Sequence, residues 1–329
     1  MNLFQSYKNV IASALKNNMQ NKSMNESFLG DTKKLFTLSD FQTQRSSLSV
    51  SNDLVKVAND MGVIQIKEQV VGHHPHFKHL KHTKNTENHN IVSVFIDVKG
   101  STNLFRKYNP ETVYIITNTI QLVAISVCKL FGGFIHRLQG DGLFVYFGGK
   151  GVDKSMANIH ALTALSFFNY FLENDLKNLF EEQGIEKIKA KVGIDFGDDD
   201  DVLWAMAGIE ESSEITTISL HTSLASKMQQ FAGSNEIVIG QNVVDFAKVN
   251  NALIEVVSDQ RYIFQDREKG LNYTQYKFNW LKFLKQLKYI ATSSIDGSIA
   301  IKNLDNPNIY LHDSAPLKQI ADSNKPWKC

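Results

Sequence analysis

The stretch that most constrains the fold of this chain runs from Ile91 to Phe147. Ile91-Val92-Ser93-Val94-Phe95-Ile96 is an apolar, β-branched run of strand length, and it delivers Asp97 just ahead of Gly100-Ser101-Thr102. After a helix-like segment, Gly132-Gly133-Phe134-Ile135-His136-Arg137-Leu138 and Leu143-Phe144-Val145-Tyr146-Phe147 flank Gln139-Gly140-Asp141-Gly142, which predicts a hairpin with a second Asp at its tip. If the first strand lies beside this hairpin, the two carboxylates meet. Their repulsion is relieved by a cation, and hard divalent ions such as Mg²⁺ take one or two carboxylates plus substrate phosphates. The outline is that of a phosphoryl- or nucleotidyl-transfer site.

The helix-like segment from Pro110 to Leu130 carries Val113, Ile116, Ile120, Val123, Val127 and Leu130 at three- and four-residue steps. A second segment, Asp153 to Gln183, repeats the pattern with Ile159, Leu162, Leu165, Phe168, Leu172 and Leu176. Lys189 to Phe196, Val202 to Ile209, Glu214 to Leu220 and Glu236 to Ile239 read as strands, with a short helix over Thr222 to Phe231 and a helical turn over Gln241 to Phe246. Helices recurring between strands predict an α/β layer structure with helices covering one face of a sheet. The run Asp198-Asp199-Asp200-Asp201 lacks the glycine and distal glutamate of a calcium loop and is expected to be a solvated turn.

The flanks read differently. Residues 1 to about 60 are polar, with intermittent helical spacing and Asp31, Ser39 and Asn52 as candidate helix caps. His73-His74-Pro75-His76-Phe77-Lys78-His79-Leu80-Lys81-His82 is dense in a common metal ligand but has no Cys or acidic partner at fixed spacing, so it is expected to be a solvated linker. Past residue 250, Tyr262, Phe264, Tyr273, Tyr276, Phe278, Trp280 and Phe283 form an aromatic stripe suited to a core or an interface. The 329 residues suffice for about two domains, and a net charge of +1 gives no field that would draw nucleic acid or an anionic membrane. Cys128 and Cys329 argue against a disulfide framework. There is no apolar run long enough to suggest a spanning helix and no secretory pattern at Met1, so a cytoplasmic location is expected.

Four ordered blocks carry a resemblance: Phe95-Ile96-Asp97-Val98-Lys99-Gly100-Ser101-Thr102, Gly132-Gly133 leading to Gly140-Asp141-Gly142, Gly193-Ile194-Asp195-Phe196-Gly197, and Ala225-Ser226-Lys227-Met228. Over residues 91 to 245 the chain resembles the catalytic domain of class III nucleotide cyclases, and within that class the Pycsar pyrimidine cyclases of bacterial antiphage defence. The resemblance implies a ferredoxin-like βαββαβ domain over residues 91–248, a helical segment and His-rich linker over 1–90, and a sensor-like C-terminal extension over 249–329. It implies conversion of UTP or CTP to the 3′,5′-cyclic monophosphate and pyrophosphate, and a separate effector that reads the product. The alternatives are an adenylate or guanylate cyclase with atypical base contacts and a catalytically weak cyclase-homology sensor.

The resemblance also assigns residues. Asp97 and Asp141, with the Val98 carbonyl, would hold two Mg²⁺ or Mn²⁺ ions. The loop Lys99, Gly100, Ser101, Thr102 would face the triphosphate, and Lys269 would reach it from the C-terminal side. The base-reading Lys of purine cyclases is replaced by Arg137, four residues before Asp141, and the base-reading Asp or Cys by Thr216. Both depart from the purine pattern, and an all-donor Arg suits the two carbonyls of uracil, which leans the expectation toward UTP. The ribose-binding Asn is Ser223 and the transition-state Arg is Lys227, which keeps the charge without the fork, with His221 as a possible assisting cation. In homodimeric members, each site takes its metal pair from one chain and these residues from the other.

Overall fold

Strand β-branching and a two-residue alternation govern the centre of the molecule. The computed structural model describes residues 3–23, 36–259, 264–266, 271–294 and 298–302. In chain order, α1 (Gln5–Ser23), α2 (Leu38–Gln44), α3 (Asn52–Asp60) and β1 (Glu87–Asn88) lead into β2 (Ile91–Lys99), α4 (Pro110–Leu130), β3 (Gly133–Gln139) and β4 (Gly142–Phe147). Next come α5 (Lys154–Tyr170), α6 (Lys177–Glu182), β5 (Lys189–Gly197), β6 (Leu203–Ile209), β7 (Ser212–Ile218), α7 (Leu220–Phe231), β8 (Glu236–Gly240) and α8 (Gln241–Ala247). The last described elements are β9 (Ile254–Val256), β10 (Phe264–Asp266), β11 (Leu271–Tyr273), β12 (Gln275–Phe278), α9 (Trp280–Gln286), β13 (Ile290–Thr292) and β14 (Ile299–Ile301).

The main sheet has the order β3-β4-β2-β5-β8-β12-β9. β2 pairs antiparallel with β4 on one side and β5 on the other, and β5 pairs parallel with β8. The run β2-α4-β3-β4-α5-β5 is the expected ferredoxin-like βαββαβ unit. Successive residues of β2 face opposite sides. Val92, Val94, Ile96 and Val98 join Leu143, Val145, Phe147, Val192 and Ile194 in the larger core, covered by α4, α5 and α1. Ile91, Phe95, Phe144 and Tyr146 point the other way, toward α7 and the β6–β7 hairpin. Among the described residues α4 is the one helix long and apolar enough to cross a membrane, but Val113, Ile116, Ile120, Val123 and Val127 are buried in the core.

Several local expectations shift. Thr37 and Ser51, two residues before Ser39 and one before Asn52, cap α2 and α3 by accepting from the Asp40 and Leu54 N–H groups; Asp31 lies outside the described residues. The helix expected over Asp153 to Gln183 breaks after Tyr170 into a wide turn, Phe171–Asp175, before α6. The second hairpin strand ends at Ile218, because Ser219 caps α7 by accepting from the His221 N–H. The acid run is a turn in which Asp198 and Asp199 pair with Lys154, and that contact holds the Asp199 carboxyl far below its ordinary value.

The histidine tract is not a solvated linker. Its Pro75–Leu80 turn buries Phe77 and Leu80, and His74 is 0% exposed. Phe77 stacks on Trp204 with ring centroids 3.9 Å apart, while His74 packs edge-on against Phe134 at 4.7 Å. Burial drives His74 well below its ordinary value, so the ring is neutral and behaves as one more aromatic in this smaller core. Its polar composition had pointed to solvent, but the aromatic partners that bury it come from β3 and β6.

The sheet also runs across the boundary expected at residue 248. β12 extends it beyond β8, with Tyr276 opposite Ile239, and β9 forms its far edge. Tyr273, Phe278 and Phe283 of the aromatic stripe are buried, as a core reading requires; Tyr262 lies outside the described residues.

Candidate active site

Asp97 is placed by the register of β2. It stands opposite Lys191 of β5 and one residue beyond the Ile96–Leu143 pair that joins β2 to β4. The hairpin comes close here because residue 142 is glycine: a Cβ would overlap the Ile96 carbonyl oxygen and lie 3.5 Å from Asp97 Cα. Asp141 therefore reaches the end of β2. Burial, and then the negative charge of Asp141, push the Asp97 carboxyl above its ordinary value, while Lys191 and the Val98 N–H pull it down. Ser101 donates to Asp141 Oδ2 at 2.6 Å, which orients that carboxylate. Gly100 and Ser101 are half-buried, Lys99 and Thr102 exposed, and Val98 buried in the ladder opposite Ala190.

This end of the sheet thus presents two mutually repelling carboxylates with a serine hydroxyl and an exposed loop beside them. Among the described residues, there are no groups of three or more His, Cys, Asp or Glu arranged to hold an ion, so any cation here would complete its shell with backbone carbonyl, phosphate or water oxygens. The donor set fits a hard divalent cation, since oxygen ligands that destabilise one another are relieved by one.

Arg137, Thr216, Ser223 and Lys227 lie elsewhere. Arg137 on β3 is forked onto Glu214 of β7, its Nε donating to Oε2 at 3.1 Å and its Nη2 to Oε1. The guanidinium expected to be free for a base is therefore paired. Thr216 Oγ1 is 3.3 Å from the Tyr146 hydroxyl, which also bonds Thr217 at 2.9 Å. Ser223 and Lys227 are exposed, one turn apart on α7, and Leu224, Ala225 and Met228 bury the opposite side of that helix. An open cavity of about 540 Å³ is lined by Asp201, Thr217, Ile218, Ser219, Leu220, Thr222 and Ser223. No hydrogen bond among the described residues joins these groups to Asp97 or Asp141. Lys269 lies outside the described residues.

Two features went unread in the sequence. The first is Glu214. The second is a buried network centred on Asp195, the acidic residue of the Gly193–Gly197 block. Asp195 is 0% exposed and accepts from His221 Nδ1 at 2.9 Å, the Tyr273 hydroxyl at 2.6 Å and the Phe196 N–H at 2.9 Å. His221 is thereby committed to the fold of α7 and is not an assisting cation at the surface. Burial pushes the Asp195 carboxyl up. Burial also lowers His221, but the bond and charge of Asp195 lift it above its ordinary value. Gly193 and Gly197 face the same side as Asp195, and a Cβ on Gly193 would overlap the Ala225 carbonyl and the Gln229 nitrogen of α7. A strand motif of small residues around an acid is the signal that predicts a helix seated directly on it.

The fold and site together define a ferredoxin-like α/β domain with paired carboxylates at a strand end. No family model matches the chain. A cytidylate cyclase of Staphylococcus aureus is 37% identical over 273 residues, 80% of this chain and 63% of the relative, and a cytidylate cyclase of Escherichia coli is 31% identical over 234 residues, 68% of this chain and 50% of the relative. The chain spans half to somewhat under two thirds of the length of these relatives. Among solved structures, the adenylyl cyclase CyaB of P. aeruginosa matches 59% of this chain and 95% of its own at 19% identity, with a TM-score of 0.49. The chain is similar, over 68% to 80% of its own length, to these cytidylate cyclases.

Proposed function

We propose that this protein is a homodimeric pyrimidine nucleotide cyclase that converts CTP to 3′,5′-cyclic CMP and pyrophosphate. The observation that carries the reading is the Asp97–Asp141 pair, in which one carboxyl is raised by burial and by the other's charge. Asp97 and Asp141 would hold two divalent cations, Mg²⁺ or Mn²⁺, with the Val98 carbonyl as a further ligand. Such ions, when bound, acidify the ribose 3′ hydroxyl and offset charge on the leaving pyrophosphate. The ribose 3′ oxygen attacks the α-phosphorus, its proton is lost, and the bond to the pyrophosphate oxygen breaks. Ser101 keeps Asp141 oriented, and Lys99, Gly100 and Thr102 face the phosphates, with Lys269 as a further phosphate contact.

The exposed position of Ser223 and Lys227 supports a site completed by a second copy, in which Ser223 meets the ribose and Lys227 the α-phosphate. Arg137 and Thr216 would read the base from the same copy. CTP is preferred to UTP for two reasons: the relatives are named cytidylate cyclases, and the lean to UTP had treated Arg137 as an unpaired donor. On resemblance alone, we read residues 91–248 as the catalytic unit of a cytoplasmic antiphage signalling enzyme whose product is read by a separate effector.

The test is to incubate purified protein with Mg²⁺ or Mn²⁺ and each of the four nucleoside triphosphates, and to identify the cyclic products. Cyclic CMP is expected to dominate. Cyclic AMP or GMP as the main product overturns the pyrimidine reading, cyclic UMP overturns the choice of CTP, and no product leaves the sensor reading that Ser223 and Lys227, as departures from Asn and Arg, favour.

A further inference from the structure

Glu214 is a carboxylate with unused capacity in a fixed place. It has two oxygens and about four acceptor positions, of which the fork of Arg137 takes two. Its side chain is 24% exposed and that of Arg137 42%, so the pair is partly buried and partly open to solvent. The backbone at Gly72 locks it from behind. The Gly72 N–H donates to the His136 carbonyl at 2.8 Å, and the Gly72 carbonyl accepts from the Ile215 N–H at 2.7 Å. β3 and β7 are thereby bridged next to the ion pair, and a Cβ on Gly72 would lie 3.1 Å from Glu214 Cβ. His136, 3.7 Å from Glu214, is buried and held neutral, with burial and the neighbouring Arg137 lowering it to about 3. Arg137 is therefore the cation that balances Glu214, and the two present a donor and an acceptor side by side.

That arrangement has the polarity of one pyrimidine and not the other. Cytosine carries an amine donor at N4 beside the acceptors N3 and O2; uracil carries an acceptor at O4 beside the donor N3–H. We infer that Glu214 is the specificity-determining residue for cytosine, accepting from N4 while Arg137 donates to N3 or O2. Uracil in the same pose would set O4 against the carboxylate and N3–H against the guanidinium. The inference rests on the pyrimidine cyclase reading and deepens it: Arg137 alone would favour uracil, and its pairing with Glu214 reverses that preference.

The experiment is the ratio of kcat/KM for CTP to kcat/KM for UTP in the full chain and in Glu214→Gln. Because both substrates sample the same folded protein, the ratio is unaffected by a partly unfolded preparation. An acceptor that only braces Arg137 would lower both constants together. The glutamine amide can turn its NH₂ toward O4, so the CTP:UTP ratio is expected to fall by about tenfold to a hundredfold. If turnover of the variant is too slow to measure, the Kd ratio of the α,β-methylene analogues of CTP and UTP reads the same preference by calorimetry. A ratio within about twofold of the original overturns the role of Glu214 while leaving the cyclase reading intact. A wild-type protein that cyclises no pyrimidine triphosphate overturns the cyclase reading, and that result is obtained before any variant is made.

Discussion

Asp195→Ala is the substitution from which the fold of α7 has most to lose. The carboxylate sits at 0% exposure with three donors on it, from His221, Tyr273 and the Phe196 backbone. Deleting it strands an imidazole and a phenol in a dry interior. Removal of one member of a buried hydrogen-bonded pair typically costs about 3–5 kcal/mol, and each orphaned donor about 1–3 kcal/mol, so the two ways of reckoning agree at roughly 3–5 kcal/mol once non-additivity is allowed for. At about 2–4 °C per kcal/mol for a domain of this size, the melting midpoint should fall by about 6–20 °C. Tyr273→Phe removes one donor and should cost about 1.5–3 kcal/mol.

The same pair sets a pH dependence. His221 is held above its ordinary value of 6.5, so folding favours the imidazolium. Its stabilising contribution is complete below about pH 6.5 and is lost as pH rises through the raised value. Asp195, raised by burial, works in the same direction at lower pH. Denaturant midpoints across pH 6 to 9 should therefore fall with pH in the native protein and flatten in Asp195→Ala. A variant that melts within about 1 kcal/mol of the native protein, with an unchanged pH slope, would refute the argument that this network seats α7.

Two further outcomes follow from the geometry. Asp97→Asn removes one of two repelling carboxylates; since the raised Asp97 carboxyl means that ionisation costs stability as pH rises through its folded value, the metal-free variant should melt higher than the native protein near neutrality, and Mn²⁺ should raise the midpoint of the native protein alone. A lower midpoint, or an equal Mn²⁺ shift in both, contradicts the cation assignment. Gly193→Ala pushes a methyl into the α7 backbone and should cost about 1–3 kcal/mol in thermal melts; a loss below about 0.5 kcal/mol would show that α7 does not rest on Gly193.

How much of this was legible depended on how far apart in the chain the deciding contacts lie. The Ile91–Ile96 run and the Gly140 turn are local signals, and both Asp97 and the Asp141 tip followed from them. α4 and its apolar stripe were equally plain. What failed needed a partner from another element. His74 looked solvent-bound because imidazole is polar, but Phe134 and Trp204 enclose it. Arg137 could be read as facing a base or as paired with an acid, but the acid, Glu214, stands 77 residues further on. β9 is only three residues long, too short for periodicity to register, and both it and β12, whose residues alternate from Tyr273 to Phe278, find their place only in the sheet they complete.

Those short strands alter how the flanks relate to the site. Tyr273 belongs to the segment expected to be a separate extension, yet its hydroxyl donates to Asp195, and Asp195 in turn accepts from His221 on α7. Asn242 closes the ring: its backbone N–H donates to the Tyr273 oxygen at 3.0 Å, and its amide lies 3.3 Å from His221 Nε2. The helix bearing Ser223 and Lys227 is thus two hydrogen bonds from β11. On the far side of the sheet, Tyr289 donates to Asp60 at 2.6 Å, which ties the C-terminal segment to α3, while α1 packs against α4. Both flanks are built into the layers that fix β2 and α7, so a change in either flank bears on the strand that carries Asp97 and on the helix that carries Lys227 through packed and hydrogen-bonded contacts.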